Sequence, residues 1–306
     1  TIQGLKMIQS LSPEVSWPDF TLHLQGDELP QPASFPIITD EEVKPTIEHI
    51  KAYIAQRGFT YPEHLIENFY LSLKTKPFVI LAGVSGTGKT KLVELFAEAL
   101  GATKHNQRYT LIPVRPDWSD PSDLIGYTDL SGKFRPGKLT EIVEIASRPE
   151  RQQESFFICL DEMNLARVEH YFSDLLSLLE TQKWDEGKIR TQHLLSEQIF
   201  TSEEDKEKYA RLHVPDNVYL IGTVNMDETT HPFSKKVLDR ANTIEFNYIN
   251  LNQFPDHGAD EDVGFVTVHH QFLRSDYLQL VHAYEQYEDL IKATTEKLVE
   301  VNRILE

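Results

Sequence analysis

Cysteine is almost missing from this sequence: Cys159 stands alone among 306 residues. No internal disulfide can form, which suits a reducing compartment. Long apolar runs are also missing, and no stretch approaches the roughly 20 residues that span a bilayer. The opening segment, TIQGLKMIQS, has no basic region followed by an apolar core, so no secretory signal is expected. A cytoplasmic protein without a membrane segment is the expectation. Positive charge is short, with 30 Lys and Arg against 48 Asp and Glu and a formal charge of −18. That balance excludes a surface wrapping nucleic acid non-specifically, which needs clustered cations to displace counterions. It leaves open a locally basic channel or a partner subunit that holds nucleic acid. Zinc-like spacing is absent among the 12 histidines. His269 and His270 are expected in solvated or core positions.

What is present is an ordinary globular composition, 40% hydrophobic and 25% charged. The length suits one large domain and a smaller one. Residues 1–40 are punctuated by Pro13, Pro18, Pro30, Pro32 and Pro36 and read as an irregular leader. Asp40 is expected to cap a helix that Gly58 stops, with Pro45 marking where regular helix begins and Ile47, Ile50 and Ile54 forming one apolar stripe. A second helix is expected from Pro62 to about Lys74. Tyr53, Phe69 and Tyr70 fall at core positions of these helices.

From Phe78 the pattern changes. PFVILAG, ESFFICLDE and NVYLIGTVN are short, continuously apolar runs, as in strands buried on both faces. Helical patterns separate them, which predicts an α/β core with a central parallel sheet flanked by helices. Ligands in such sheets bind outside the carboxyl ends of the strands, where the polar ends of all three runs fall. The core is placed at residues 41–250. Residues 181–213 form a polar insertion within it, read as a hairpin plus mobile loop. The segment LNQFPDHGADEDVG reads as a linker, and residues 251–306 as a small C-terminal helical lid.

The loop GVSGTGKT fits the phosphate-binding template at every fixed position: Gly83, Gly88, Lys89 and Thr90. Val84, Ser85, Gly86 and Thr87 complete it. Its glycines let backbone N–H groups approach phosphate oxygens, and the following helix adds its positive end. Lys89 is expected on the β- and γ-phosphates, and the Thr90 hydroxyl on Mg²⁺. The acids closing ESFFICLDE pair with this loop. Asp161 would hold the Mg²⁺, through water or directly, and Glu162 would orient or deprotonate the attacking water. Asn164 reads equally as a second polar candidate and as a helix cap. Asn225, ending the third run, reads either as bonding the γ-phosphate and the lytic water or as a cap of the next turn. Asp227 and Glu228 follow it with undetermined roles. Arg240 lies on an expected helix fifteen residues later, either as an arginine finger or in an ion pair with Asp239 or another acid. Cys159, inside the second run, is expected to be buried and inert.

These motifs together resemble an AAA+ ATPase, and more narrowly its McrB-like branch, the NTPase motors of modification-dependent restriction systems. The residues carrying the resemblance are LAGVSGTGKT, residues 114–127 (VRPDWSDPSDLIGY), residues 156–180 (FFICLDEMNLARVEHYFSDLLSLLE) and residues 214–241 (VPDNVYLIGTVNMDETTHPFSKKVLDRA). The resemblance implies ATP or GTP hydrolysis with Mg²⁺ at subunit interfaces of a hexameric ring, with Arg240 acting on a neighbour's nucleotide. It also implies a nuclease partner of the McrC type. Tyr127 would lie near the ring's central face or else be a packed loop tyrosine. Residues before 75 are too few for a complete modified-DNA-binding domain, so DNA contact is expected through a partner or a further domain. The family's Asn-x-x-Asp-Arg run stands here as Asn225-Met226-Asp227-Glu228-Thr229, without its arginine. Two other readings share these motifs: a protein-remodelling AAA+ chaperone of the MoxR kind, and a nucleotide-switched scaffold without turnover.

Overall fold

The computed structural model describes residues 35–76, 78–185, 187–226, 230–246, 263–275 and 278–305. Residues 1–34 of the leader expected over 1–40, most of the linker, and Asp227 and Glu228 lie outside them.

Helix α1 (Asp40–Gln56) opens on a capping box, with the Glu42 carboxylate accepting from the Thr39 amide at 2.8 Å. The cap is Thr39, not Asp40. Pro45 sits inside α1 without delaying it, because α1 buries Ile47, Ile50, Tyr53 and Ile54 beyond it. Helix α2 (Leu65–Thr75) begins later than expected, after His64 in a left-handed conformation (φ 65°). Strand β1 (Phe78–Gly83) leads through the phosphate-binding loop into α3 (Lys89–Ala99). Then follow β2 (Tyr109–Pro113), a one-turn α4 (Ser122–Ile125), the hairpin β3 (Gly126–Thr128) and β4 (Phe134–Pro136), and α5 (Lys138–Ala146). Strand β5 (Phe156–Asp161) ends at a 3-10 turn, Met163–Leu165, followed by α6 (Val168–Tyr171) and α7 (Ser173–Leu179).

The insertion consists of β6 (Lys183–Asp185), β7 (Lys188–His193), α8 (Glu203–Tyr209) and β8 (His213–Pro215), the three strands pairing antiparallel. The expected hairpin is present. The rest of the insertion is not wholly irregular: it holds α8, where the Tyr209 ring lies 5.1 Å from that of Phe134. Strand β9 (Val218–Asn225), the one-turn α9 (Lys235–Leu238) and β10 (Asn242–Phe246) complete the core.

The central sheet has the order β10-β1-β9-β5-β2, every neighbour parallel. Both faces are covered. Phe78, Ile80 and Ala82 point into one cluster with α5, α6 and α7, while Val79 and Leu81 point into another with α1, α2 and α3. Alternation within continuously apolar strands is what a doubly covered sheet requires. The fold is therefore an α/β P-loop NTPase fold with a C-terminal helix. That helix, α10 (Leu280–Leu305), is broken at Tyr287 and largely exposed. It falls within residues 251–306, where the small helical lid is expected. Before it, a 3-10 turn, His270–Leu273, packs on the α1–α3 side through Phe272 against Tyr70. Tyr53, Phe69, Tyr70 and Cys159 are all buried, as expected, and so is His270. No described helix is long and apolar enough to cross a membrane.

Candidate nucleotide site

The register of the sheet assembles the site. Gly83 of β1 lies beside Asn225 of β9, and Leu160 of β5 beside Gly222, so the polar ends of three strands share one edge. Gly83 cannot carry a side chain, since a Cβ there would lie 2.5 Å from the Phe246 carbonyl oxygen.

In the loop, Gly86 (φ 79°) and Gly88 (φ 84°) adopt the left-handed conformation that L side chains disfavour. Val84, Ser85 and Gly86 are exposed, with Thr87 and Gly88 partly so. The Lys89 side chain folds back beneath the loop, its Nζ donating to Val84 O at 2.7 Å and Gly83 O at 3.0 Å. Burial lowers the Lys89 pKa, and the nearby Asp161 and Glu162 charges oppose that shift. The Tyr61 hydroxyl donates to the Gly88 carbonyl at 3.0 Å, bracing the start of α3 from outside the loop.

Opposite the loop, Asp161 Oδ1 accepts from Thr90 Oγ1 at 2.6 Å and from Thr223 Oγ1 at 2.8 Å. The Thr223 oxygen in turn accepts from the Glu162 amide at 3.0 Å. Glu162 itself is held left-handed (φ 50°, ψ 48°), a conformation that few non-glycine residues adopt outside constrained sites. Its carboxylate accepts from Asn225 Nδ2 at 2.7 Å. Asn225 is fixed in turn, its carbonyl accepting from Asn164 Nδ2 at 2.8 Å and Thr230 Oγ1 at 3.0 Å. Asn164 therefore ties β9 to the turn after β5 and does not cap a helix.

Lys89, Thr90, Asp161, Glu162 and Asn225 are thus brought together. The Thr90 hydroxyl and the Asp161 carboxylate form a hard oxygen donor pair, 2.6 Å apart beside the loop, and this chemistry fits Mg²⁺. No group of three or more His, Cys, Asp or Glu with metal-holding geometry occurs among the described residues.

Arg240 is not at this edge. It follows α9 in a turn rather than lying on a helix, and it precedes Asn242, which pairs with Val79 near the start of β1. Its guanidinium grips Glu180 through Nε (2.5 Å) and Nη2 (2.8 Å), so its ion-pair partner is Glu180 rather than Asp239. Tyr127 is exposed on the β3–β4 hairpin, which excludes the packed-loop alternative.

Sequence reading missed Thr223, Tyr61 and Glu180. Thr223 sits inside an apolar run where threonine is an ordinary strand residue, and Tyr61 and Glu180 are far in sequence from what they touch.

A family model described as AAA domain (dynein-related subfamily) matches residues 78–241, over half of the chain. No curated protein matches the sequence. A crystal structure of a candidate ATPase from Cytophaga hutchinsonii is similar over 76% of this chain, at 18% identity and a TM-score of 0.44. This chain spans 63% of that structure's length.

Proposed function

The chain belongs to the AAA domain family, dynein-related subfamily, and from that premise we propose that it is a nucleoside-triphosphate-hydrolysing motor subunit. One observation carries this reading. Thr90, Asp161, Thr223, Glu162 and Asn225 form one hydrogen-bonded chain at the mouth of the phosphate-binding loop.

The loop amides and Lys89 take the phosphate oxygens, Lys89 exchanging its bonds to Gly83 O and Val84 O for them. Thr90 and Asp161 would hold Mg²⁺, which would neutralise charge on the phosphate oxygens. Glu162 accepts a proton from the attacking water as its oxygen bonds to the γ-phosphorus. The bond to the bridging oxygen breaks, leaving nucleoside diphosphate and phosphate. Asn225 keeps the Glu162 carboxylate aimed.

Arg240 lies beyond the level of Val79, four strand steps of roughly 3.3 Å from Gly83, which exceeds the reach of its side chain. That distance supports a role on the nucleotide of a neighbouring copy in a ring, of six subunits by the McrB resemblance. The same resemblance supports a motor of a restriction or defence system working with a nuclease subunit. The test compares ATP and GTP hydrolysis side by side, with size-exclusion mass measured with and without a slowly hydrolysed analogue. Mixing Glu162→Gln subunits with Arg240→Ala subunits should restore turnover, because each supplies what the other lacks. A monomer under all conditions, or no recovery on mixing, rejects an arginine in trans.

A further inference from the structure

We infer that Glu180 is the positioning residue of Arg240: it fixes the guanidinium plane and leaves one edge free for a neighbour's nucleotide. The inference rests on the reading of Arg240 as acting in trans.

The geometry of the pair carries it. The two Glu180 oxygens meet Nε and Nη2, the lateral edge of the guanidinium. Arginine has five N–H donors in a rigid fork, and this contact uses two. The three left belong to Nη1 and the outer side of Nη2, the terminal edge that engages phosphate in bidentate fashion. A carboxylate on the terminal edge would compete with phosphate; one on the lateral edge does not.

The surrounding backbone is fixed as well. The Asp239 carbonyl accepts from Lys76 Nζ at 2.9 Å, and the Arg240 amide donates to Val237 O at 3.2 Å. Glu180 and Arg240 border an open cavity of about 380 Å³ together with Lys76, Asp216, Asp239 and Arg274. The Arg240 side chain retains 29% exposure and that of Glu180 54%. Neither is sealed in the core, and a pair this exposed contributes little to folding. Both side chains of this flexible type lose rotamer freedom in the pair, so the arginine is ordered before any neighbour arrives.

The experiment uses the full chain as Glu180→Ala, Glu180→Gln, Arg240→Ala and the double variant Glu180→Ala/Arg240→Ala. Steady-state hydrolysis of ATP with Mg²⁺, affinity for a fluorescent ATP analogue and oligomer mass are measured for each. Glu180→Ala is expected to lower kcat about tenfold, as loss of one orienting contact does, with nucleotide affinity and oligomer mass unchanged. Glu180→Gln, which keeps one acceptor, should recover part of that loss. The double variant should be no slower than Arg240→Ala alone. Wild-type or faster turnover in Glu180→Ala overturns the inference, since the carboxylate would then be idle or a brake. Additive losses in the double variant overturn it too. If Arg240→Ala itself keeps full turnover, the trans reading falls and the inference with it. If only Glu180→Ala is silent, the trans reading stands and the inference alone is lost.

Discussion

The carboxamide of Asn225 donates to the carboxylate of Glu162 across 2.7 Å, joining the last residue of β9 to the first residue after β5. Glu162 is thereby held from two sides, by this bond at its side chain and by Thr223 at its amide. Its left-handed backbone persists because both contacts fix it.

Glu162→Gln should cut turnover by at least about 100-fold, the usual scale for a missing general base. Its amide oxygen can still accept from Asn225, so the site keeps its shape and nucleotide binding survives. Equilibrium binding of a fluorescent nucleotide beside a phosphate-release assay checks both halves. Unchanged hydrolysis would refute the role of Glu162.

Thr223→Val removes a donor to Asp161 and an acceptor for the Glu162 amide while preserving volume. Leaving that amide unpaired should cost about 1–3 kcal/mol of stability. We expect kcat to fall by about tenfold or more as Glu162 loses one of its two restraints. Urea unfolding and kcat are the readouts, and a variant matching wild type in both would show that this hydroxyl is dispensable.

Gly222→Ala places a Cβ at 2.1 Å from Met163 Sδ. Met163 is fully buried, so it has little room to yield. Destabilisation of about 1–3 kcal/mol is expected, partly relieved when Met163→Ala is added, because contacting sites couple. A thermal melt of the single and double variants decides it, and strictly additive losses would disprove the contact.

The structure also predicts an acid-side weakness. His270 is buried with its Nδ1 unpartnered, and burial pulls its pKa from 6.5 down to about 4. The Asp216 charge opposes that shift, while His269 and Arg274 reinforce it. Unfolded chains therefore bind a proton that the folded chain refuses between these values. Stability contributed by neutral His270 is full above pH 6.5 and lost as pH falls toward 4, on the order of 3 kcal/mol in total. Urea midpoints measured across that window should fall with pH, and His270→Phe should flatten the slope. An unaltered slope in that variant would assign the acid sensitivity elsewhere.

The parts of this molecule legible in the sequence share one property: they are written locally. Gly83, Lys89 and Thr90 follow a spacing, and Asp161, Glu162 and Asn225 each end an uninterrupted apolar run. Strands β2 and β10 escaped because an edge position tolerates polar residues such as Thr110, Thr243 and Glu245. The order of the insertion escaped for a different reason. Tyr209 and Phe200 are unremarkable in an acidic stretch until Phe134, distant in sequence, supplies the surface they pack on. Thr223 and Glu180 are likewise defined only by partners that the fold brings near.

On the proposed reading of Arg240, the two ends of the β1 layer divide what a working centre needs, the phosphate loop at one and Arg240 at the other. Contact between copies that unites them would join unlike surfaces, and such contact closes into a ring where the rotation between copies allows it and runs on as an open row where it does not. An open row of any length keeps one centre without an arginine and one arginine without a centre; a closed circuit keeps neither. Closure, rather than mere association, is then the step that removes the last idle centre. Activity per subunit should therefore rise toward its full value only as the open ends disappear.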